Sequence, residues 1–405
     1  MEMNSLEKLY ENDSYIKNFK ANIVDVKSDE DGSVLLVLDR TIFYPEGGGQ
    51  PSDTGIIGNC RISHVFKKDK VIYHRADKKP DTLNDVDCRI DWERRFDFMQ
   101  QHCGQHILSA AFGNLYGCNT IGFHLGEKYV TIDIDIQSLS EDDAKRAENV
   151  SNDIVFQNLP VTCHYPSKDE LSKYKLRKQP TVEDNIRIVE IEGFDFCPCG
   201  GTHPSRTGDV GLIKIRKWEK YKNSVRVEFV CGNRALKDYQ WKNDFINKAS
   251  NILSSKDEDV LENISKMSIE LCSLKKETKS LKDTVLSYES SDLYSKGEDV
   301  GGVRIVKKLF EDKDFKDIIS LSGKIANHDN AVALLGLKSD SARMVFSRSH
   351  DININIGELF KEVLPIIGGK GGGGKFSAQG GGPDVSNLES ALDAAYVILK
   401  NRYLK

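Results

Sequence analysis

The chain has 405 residues, of which 39% are hydrophobic and 29% are charged, and its formal net charge is −5 at pH 7. This composition is typical of a globular protein with two to four domains. It excludes a membrane-spanning helix, because no apolar run is long enough, and any contact with nucleic acid must come from local basic patches. The nine scattered cysteines argue against a disulfide framework, and the N-terminus lacks a secretory apolar region, so we expect a cytoplasmic protein.

The first predicted elements are strands. Short apolar runs between residues 20 and 95 alternate with clusters of Gly, Asp and Lys, which predicts a small β-barrel or sandwich. Within this region, three consecutive glycines at 47–49 precede Gln50. Glycines allow a backbone to approach a ligand closely, and a glutamine amide both donates and accepts hydrogen bonds. A tight turn without a ligand is the alternative, because the segment lacks the spacing of known phosphate-binding loops.

A helix is predicted from Trp92 to about Tyr116, where apolar residues recur every three to four positions. His102 and His106 lie four positions apart, so their imidazoles share one helix face. Almost a hundred residues later, Cys199 and His203 have the same spacing in a glycine-rich turn. Three nitrogens and one sulfur suit a tetrahedral Zn²⁺ ion. On spacing alone, histidines that serve packing are an equal alternative, Cys197 competes with Cys199, and Cys103 is best explained as a core residue.

The following elements are a strand at 129–135, a helix at 139–157 with Ser140 as its N-cap, and further strands to about residue 231. Apolar residues then recur every seven positions from Leu253 to Leu281, which predicts a long helical segment with a heptad seam. A helical hairpin packed on a neighbouring domain and a dimeric coiled coil are equally open, although Asp257 and Thr278 at seam positions weaken the coiled coil.

The C-terminal part is predicted to be an α/β domain with a glycine-rich loop at 368–382 before the last helix. In this loop, backbone N–H groups together with Lys370 and Lys375 could hold phosphates, and Phe376 could stack on a base. The alternative is a flexible linker.

Three motifs in this order resemble the alanyl-tRNA editing proteins known as AlaX: E-G-G-G-Q-P-S-D-T-G, W-E-R-R-x-D-x-M-x-Q-H-x-G-Q-H and C-x-C-G-G-T-H. The heptad helix and the glycine-rich loop resemble the C-terminal, DHH-associated domain of alanyl-tRNA synthetase, so the resemblance covers nearly the whole chain and fits the long form of AlaX. It implies one zinc ion per chain, bound by His102, His106, Cys199 and His203. It also implies hydrolysis of the ester bond between serine and mischarged tRNA(Ala). tRNA(Ala) mischarged with glycine is a further candidate substrate.

The expected fold class is α+β. We predict four parts: an N-terminal β-barrel subdomain at 1–92, a zinc-binding editing domain at 93–236, a helical hairpin or coiled-coil segment at 237–295, and a DHH-associated tRNA-binding domain at 296–405. We expect no class II aminoacylation domain, because the barrel begins near residue 20.

The catalytic candidates are Gln50, Gly48 and Gly49, which are predicted to hold the ester and the terminal ribose, and Thr41, which is predicted to read the serine hydroxyl. Lys370, Lys375 and Phe376 are the predicted tRNA contacts. A tRNA-binding module with a structural zinc and no catalysis is the alternative function. A phosphoesterase is disfavoured because its Asp-His-His signature is missing. A homodimer through the C-terminal half is a further expectation.

Overall fold

The computed structural model describes residues 7–29, 32–180, 182 and 185–403. The chain divides into two compact units, Met1–Ile252 and Leu253–Lys405. Both units mix helices with strands, which confirms the mixed α and β composition expected from the sequence. Among the described residues, no helix is long and apolar enough to cross a membrane. The finer division into four parts stays a prediction.

The first unit begins with strands and then alternates helices with short sheets. Its elements in chain order are β1 (Glu7–Lys8), α1 (Leu9–Asn12), β2 (Asn18–Ala21), β3 (Ile23–Ser28), β4 (Val34–Leu38), β5 (Arg40–Thr41), β6 (Gly55–Ile57), β7 (Cys60–Lys68), β8 (Val71–Ala76), β9 (Val86–Ile90), α2 (Trp92–Tyr116), β10 (Thr120–Leu125), β11 (Val130–Ile134), α3 (Glu141–Gln157), β12 (Val161–His164), β13 (Ile188–Ile191), β14 (Asp195–Pro198), β15 (Ile213–Tyr221), β16 (Ser224–Cys231) and α4 (Gly232–Leu253).

Seven of these strands form an antiparallel sheet in the order β2-β9-β6-β7-β8-β4-β3. Its outer strands follow one another along the chain, and all five residues of β4 are buried. A cluster of buried residues that includes Leu36, Phe43 and Ile57 forms the core of this sheet. The β-rich character of this region is therefore confirmed, while its description as a closed barrel stays a prediction.

Helix α2 packs against a four-stranded antiparallel sheet with the order β10-β11-β16-β15. The helix has the predicted bounds because both ends are capped: the Asp91 carboxylate accepts from the Arg94 N–H, and Gly117 takes a left-handed conformation with φ 66°. Gly104 allows the close approach to β16, since a Cβ there would lie 2.2 Å from the Cys231 sulfur. The predicted N-cap of α3 is also confirmed, because the Ser140 side chain accepts from the Asp143 N–H.

A three-stranded antiparallel sheet, in the order β12-β13-β14, lies between α3 and β15 in the chain. Ile188 on β13 pairs with Pro198 at the end of β14. The Cys199 N–H continues the pairing by donating to the carbonyl of Arg187 at 3.0 Å. The sheet thereby fixes the start of the glycine-rich turn that carries Cys199 and His203.

The second unit contains a long helix and a mixed sheet. Its elements are α5 (Val260–Ser295), β17 (Glu298–Val300), β18 (Val303–Phe310), α6 (Phe315–Ala326), β19 (Ala331–Lys338), β20 (Ala342–Arg348), α7 (Ile356–Val363), β21 (Lys370–Gly373), β22 (Ser377–Gly382) and α8 (Leu388–Ile398).

The heptad seam falls on α5, which spans 36 residues. The seam side chains Ile264, Leu271 and Leu281 are 49%, 53% and 59% exposed, whereas Leu286 near the C-terminal end packs into the core with α6. The predicted long helix is confirmed. The choice between a helical hairpin and a dimeric coiled coil stays open.

The sheet of this unit has the order β17-β18-β19-β20-β22-β21, and only β18 and β19 pair in parallel. Alternate residues of β19 point to opposite faces: Val332 and Leu334 pack with α7 and α8, and Ala333 and Leu335 pack with α6. Both faces of the sheet are therefore buried, which explains the continuous apolar run along this strand.

The prediction that the glycine-rich segment 368–382 is a loop is wrong. Most of it forms the antiparallel hairpin β21–β22. The reason is close packing: a Cβ on Gly371 would lie 2.5 Å from the Gln379 carbonyl oxygen, and one on Gly373 would lie 2.2 Å from the Ser377 carbonyl oxygen. Gly371 and Gly373 therefore serve tight backbone pairing here, and only residues 368–369 and the turn at 374–376 lie outside the two strands.

Candidate metal centre

His102 and His106 project from the most buried part of α2. Their side chains lie one helical turn apart, with ring centroids separated by 5.3 Å, and they are only 3% and 2% exposed. Caps at both ends and packing of the surrounding turns against the sheet keep this part of the helix rigid. The two imidazoles are therefore held in a fixed direction.

The turn after β14 brings Cys199 and His203 to the same place. The buried guanidinium of Arg187 holds this turn, since its Nη1 donates to the carbonyls of Cys199 at 3.0 Å and Gly201 at 2.7 Å. Gly201 is required by the packing, because a Cβ at this position would lie 2.3 Å from the Cε1 atom of His102. The turn can therefore approach α2 only with glycine at this position.

The four side chains form one cluster. One ligand atom from each of His102, His106, Cys199 and His203 lies within 4.8 Å of every other. The Cys199 sulfur lies 3.3 Å from Nε2 of His102 and 3.4 Å from Nε2 of His203. The centroid of the His203 ring is 4.6 Å and 4.7 Å from the other two imidazoles. The structure thus brings together the four residues predicted as ligands.

Gln50 orients one of these imidazoles. Its Oε1 lies 2.8 Å from Nδ1 of His102 and accepts from the Thr202 N–H at 3.1 Å, while its Nε2 donates to the Thr202 hydroxyl at 2.8 Å. Because the amide oxygen accepts from both partners, Nδ1 of His102 carries the proton and the lone pair on Nε2 faces the cluster. Gln50 is only 1% exposed and lies behind the ligand.

The other two imidazoles have weaker support. Nδ1 of His106 lies 3.6 Å from the Asp195 carboxylate, too far for a hydrogen bond, and Asp195 is itself bound by the Arg177 guanidinium at 2.8 and 3.2 Å. Within the described residues, Nδ1 of His106 and Nδ1 of His203 are buried without a hydrogen-bond partner. Buried polar atoms usually have partners, so the orientation of these two rings has less hydrogen-bond support than that of His102.

The protonation states suit a metal ion. Burial lowers the pKa of His102 to about 3 and that of His203 well below its usual value, so both rings are neutral at neutral pH. Burial alone would raise the pKa of the Cys199 thiol, but the His106 imidazole and the Gly201 N–H outweigh it and bring the pKa below its usual value. Neutral imidazoles and a thiolate-prone sulfur are the forms that bind Zn²⁺.

Two other cysteines lie close to this cluster but outside it. Cys197 is buried on the far side of His106, where it groups with that ring and Asp195, and burial raises the pKa of its thiol to about 12. Cys103 lies in the hydrophobic core, as predicted. The geometry therefore brings Cys199, rather than Cys197, to the three imidazoles.

The remaining predicted groups of this unit lie at different distances from the cluster. Gly48 and Gly49 form the turn before Gln50 with φ of 57° and 84°. A Cβ on Gly49 would lie 2.8 Å from the Phe123 ring, which in turn lies 5.4 Å from the His102 ring. This glycine turn therefore packs next to the cluster.

Thr41 has its contacts elsewhere. Its hydroxyl lies 2.9 Å from Nε2 of His74 and accepts from the Phe43 N–H at 3.0 Å, and the side chain is fully buried. Both partners belong to the seven-stranded sheet or its connections. These contacts occupy the hydroxyl, and the role of Thr41 in reading serine stays a prediction.

Sequence reasoning missed Arg187, Arg177 and Asp195. Arg187 is preceded by Ile186 and followed by Ile188 and Val189. A lone cation within such an apolar run signals a buried charge with specific partners. This pattern was visible in the sequence, but the sequence did not identify the groups that the Arg187 guanidinium binds.

In the second unit, the predicted tRNA contacts lie on the glycine hairpin. Lys370 and Lys375 are exposed. Phe376 is 45% exposed, with its ring 4.4 Å from the His350 ring and 4.3 Å from the guanidinium of Arg348. Lys375 and Phe376 therefore lie in the turn of the hairpin, whereas Lys370 lies at the opposite end of β21, where it pairs with Gly381.

Three family profiles match the chain. They are described as the second additional domain of threonyl and alanyl tRNA synthetases, which matches residues 186–228, tRNA synthetases class II (A), which matches 4–94, and the DHHA1 domain, which matches 302–401. The first match contains Cys199 and His203 but neither histidine of α2. Because a class II profile matches 4–94, the expectation that the chain has no aminoacylation domain stays a prediction.

The chain is 35% identical over 393 residues to the alanyl-tRNA editing protein AlaX-L of Pyrococcus horikoshii. This alignment covers 93% of this chain and 94% of that protein. The chain is 31% identical over 407 residues to the alanine–tRNA ligase of Methanobrevibacter smithii and spans 45% of that ligase. A crystal structure of the C-Ala domain from Aquifex aeolicus alanyl-tRNA synthetase aligns with 26% of this chain at 25% identity, with a TM-score of 0.25 that is too low to carry an argument.

Proposed function

Because this chain belongs to the family of alanyl-tRNA editing proteins, we propose that it is an aminoacyl-tRNA hydrolase that removes serine from mischarged tRNA(Ala) in trans, with glycine as a second substrate. A site that selects alanine cannot strongly reject serine, which only adds a hydroxyl, so a separate hydrolytic site is needed to correct the error. The chain spans just under half the length of the alanine–tRNA ligases that it matches, and the reaction of those ligases is not part of the proposal.

The observation that carries the proposal is the convergence of His102, His106, Cys199 and His203 on one point. Three nitrogens and one sulfur are a donor set that Zn²⁺ prefers, and we propose that these residues bind one zinc ion per chain. When bound, zinc supplies Lewis-acid chemistry, either by lowering the pKa of a water molecule or by polarising the ester carbonyl.

The surrounding residues of the chain would act on position and charge. Gln50 fixes the proton of His102 on Nδ1, and Arg187 holds the turn that presents Cys199. The backbone N–H groups of Gly48 and Gly49 are the candidates for holding the ester and the ribose. Hydrolysis then adds water across the ester bond, and it releases serine and a tRNA with a free terminal ribose hydroxyl.

The second unit would supply affinity for the tRNA body. Lys370 and Lys375 are cations on an exposed hairpin, and Phe376 offers a face for stacking. We propose that these three residues contact tRNA. A homodimer through the heptad seam of α5 is a separate proposal, which sedimentation analysis of the full chain tests directly.

A second function is a tRNA-binding module with a structural zinc and no catalysis. One observation favours it: four protein ligands form a closed shell, which is the arrangement of structural zinc sites. A deacylation assay with Ser-, Gly- and Ala-tRNA(Ala) separates the two functions. We expect release of serine at a rate that depends on the metal, and little release of alanine. Binding of tRNA without release of any amino acid would favour the module.

A further inference from the structure

A buried ion pair joins α2 to the segment that carries Gln50, and the function proposed above assigns it no role. Arg95 lies in the first turn of α2, Asp53 lies three residues after Gln50, and both side chains are fully buried. Nε of Arg95 donates to the two carboxylate oxygens of Asp53 at 3.0 and 3.1 Å, and Nη2 donates to the same carboxylate. The pair therefore has the forked geometry of a guanidinium bound to a carboxylate.

The Arg95 guanidinium also binds two other segments of the first unit. Its Nη1 donates to the Ser14 carbonyl at 2.9 Å, and its Nη2 donates to the Ile42 carbonyl at 2.5 Å. Replacing a buried ion pair with apolar side chains is often neutral or stabilising, so a gain in stability does not by itself explain such a pair. A fork of donors that holds three segments at once fixes one arrangement of these segments around α2.

The segment 44–53, here called the Gln50 loop, is braced by its own hydrogen bonds. At its base, the Tyr44 N–H donates to the Asp53 carboxylate at 2.6 Å, and the Asp53 N–H donates to the Tyr44 carbonyl at 3.1 Å. At its tip, Gly47 and Gln50 exchange N–H···O bonds of 3.1 and 3.0 Å. The Tyr44 hydroxyl donates to the Gly47 carbonyl at 2.9 Å and joins the base to the tip. A displacement of the base is therefore passed on to the tip.

Helix α2 holds the Gln50 loop at both ends. Arg95 binds the base of the loop through Asp53. His102 lies seven positions later on the same helix and contacts the tip, where its Nδ1 lies 2.8 Å from Oε1 of Gln50. Seven residues of an α-helix span roughly 10 Å. Because the loop is braced and the helix is capped at both ends, the position of Gln50 against His102 depends on the attachment at the base.

We propose that Arg95 is a positioning residue for the metal centre. Its ion pair with Asp53 sets the Gln50 loop so that Gln50 holds the His102 imidazole in the orientation that binds zinc. This inference rests on the proposed function, from which it takes the zinc ligands. Arg95 acts through Gln50 and takes no part in breaking the ester bond. Removing a group that orients a metal-bound histidine typically weakens metal binding by about 10- to 100-fold.

The test is a double-mutant cycle on zinc affinity in the full-length protein, with Asp53→Asn, Gln50→Ala and the double variant. Asparagine has the shape of aspartate but carries a donor in place of one acceptor oxygen, so it cannot accept all the bonds from Arg95. We expect each single variant to weaken zinc binding about tenfold. The double variant should bind zinc within about twofold of Gln50→Ala, because both changes act through one contact. A loss of about 100-fold in the double variant would mean that the two effects are independent, and it would overturn the inference.

The control for a general loss of stability is Ile72→Ala. Ile72 is fully buried in the core of the same sheet but lies outside the Gln50 loop, and its truncation leaves a cavity. We expect zinc affinity within about twofold of wild type in this variant, since the loop keeps its attachment. An equal loss of zinc affinity in Ile72→Ala and Asp53→Asn would show that stability alone is responsible.

If Asp53→Asn does not fold, Arg95→Lys takes its place in the cycle. Lysine keeps the positive charge beside Asp53, but its single nitrogen cannot hold the three segments that the guanidinium fork binds. The same non-additivity with Gln50→Ala is expected, and an independent effect would overturn the inference in the same way.

A second measurement depends neither on zinc affinity nor on activity. The His102 Nδ1–H, which donates to Gln50, is followed by NMR in the protein as purified, with isotope-labelled histidine, and its exchange with water is compared between variants. We expect exchange at least about tenfold faster in Asp53→Asn than in wild type or Ile72→Ala. Wild-type exchange in Asp53→Asn would overturn the inference. Faster exchange in Asp53→Asn, in a protein whose wild type releases no serine from Ser-tRNA(Ala), would support the inference and count against the proposed function alone.

Discussion

The two units present their candidate functional groups in different surroundings. In the first unit, the predicted ligands are buried, and Gln50 and Arg187 each make several hydrogen bonds that fix a ligand or its turn. In the second unit, Lys370, Lys375 and Phe376 are exposed and lie on the β21–β22 hairpin. Removing one member of a buried, hydrogen-bonded group costs much stability or ligand affinity, because its partners stay buried without a hydrogen bond. Exposed cations contribute small, additive amounts to binding, and salt screens them. The comparison predicts large, specific effects in the first unit and small, salt-dependent ones in the second.

The largest effect is expected for Cys199→Ala. Removing the only sulfur of the cluster leaves three imidazoles, so we expect loss of bound zinc and a fall in Ser-tRNA(Ala) deacylation of at least about 100-fold. Metal analysis of the purified protein and a deacylation assay measure both. Cys197→Ala is the matched control and should keep its zinc. Full zinc content in Cys199→Ala with loss in Cys197→Ala would reverse the ligand assignment.

The next largest effect is expected for Arg187→Ala. This change leaves the carbonyls of Cys199 and Gly201 buried without their donor, so we expect the free energy of unfolding to fall by about 2–4 kcal/mol. Because the turn carries two ligands, zinc affinity should fall by about 10- to 100-fold. Chemical denaturation and competition with a chelator measure the two quantities. Arg206→Ala, which removes an exposed guanidinium bound to one carbonyl, is the control. Unchanged zinc affinity in Arg187→Ala would show that the turn keeps its shape without the hydrogen bonds from Arg187.

Gln50→Ala should have a smaller effect on zinc affinity. It distinguishes two roles for Gln50, which are to position His102 or to hold the ester. If Gln50 positions His102, as its three hydrogen bonds indicate, zinc affinity should fall by about tenfold together with activity. If Gln50 instead holds the ester, zinc affinity should stay at the wild-type value while kcat falls. Competition with a chelator alongside the assay distinguishes the two. Wild-type values for both would remove Gln50 from the site.

Local patterns in the sequence were enough to predict α2 and the N-cap of α3, because helix periodicity and capping depend on residues within a few positions of each other. The two pairs of predicted ligands were also visible from their spacing. The contact between Gln50 and His102 was not, since it joins residues 52 positions apart, and the role of Arg187 depends on a turn that the sequence does not place.

The glycine-rich segment shows a different limit of prediction. Its composition is typical of a loop, but Gly371 and Gly373 lie in a strand where any side chain would collide with the partner backbone. A glycine-rich composition is compatible with a flexible loop and with closely packed strands, so it does not distinguish the two. Only the pairing of β21 with β22 decides between them.

The smallest effect is expected for the double variant Lys370→Ala/Lys375→Ala, in which two exposed cations are removed from the hairpin. Phosphate contacts contribute to affinity through counterion release, so tRNA binding should weaken several-fold and the slope of log affinity against log salt should become shallower by roughly 1 to 2. Turnover at saturating tRNA and zinc content should stay at wild-type values, because the predicted ligands belong to the first unit. Lys361→Ala on α7, which removes one exposed lysine that is not part of the hairpin, is the control. Filter binding across a salt titration measures the affinity. Equal slopes for the double variant and wild type would show that the exposed lysines of this hairpin do not contact tRNA, and the exposed seam of α5 would then be the next surface to test.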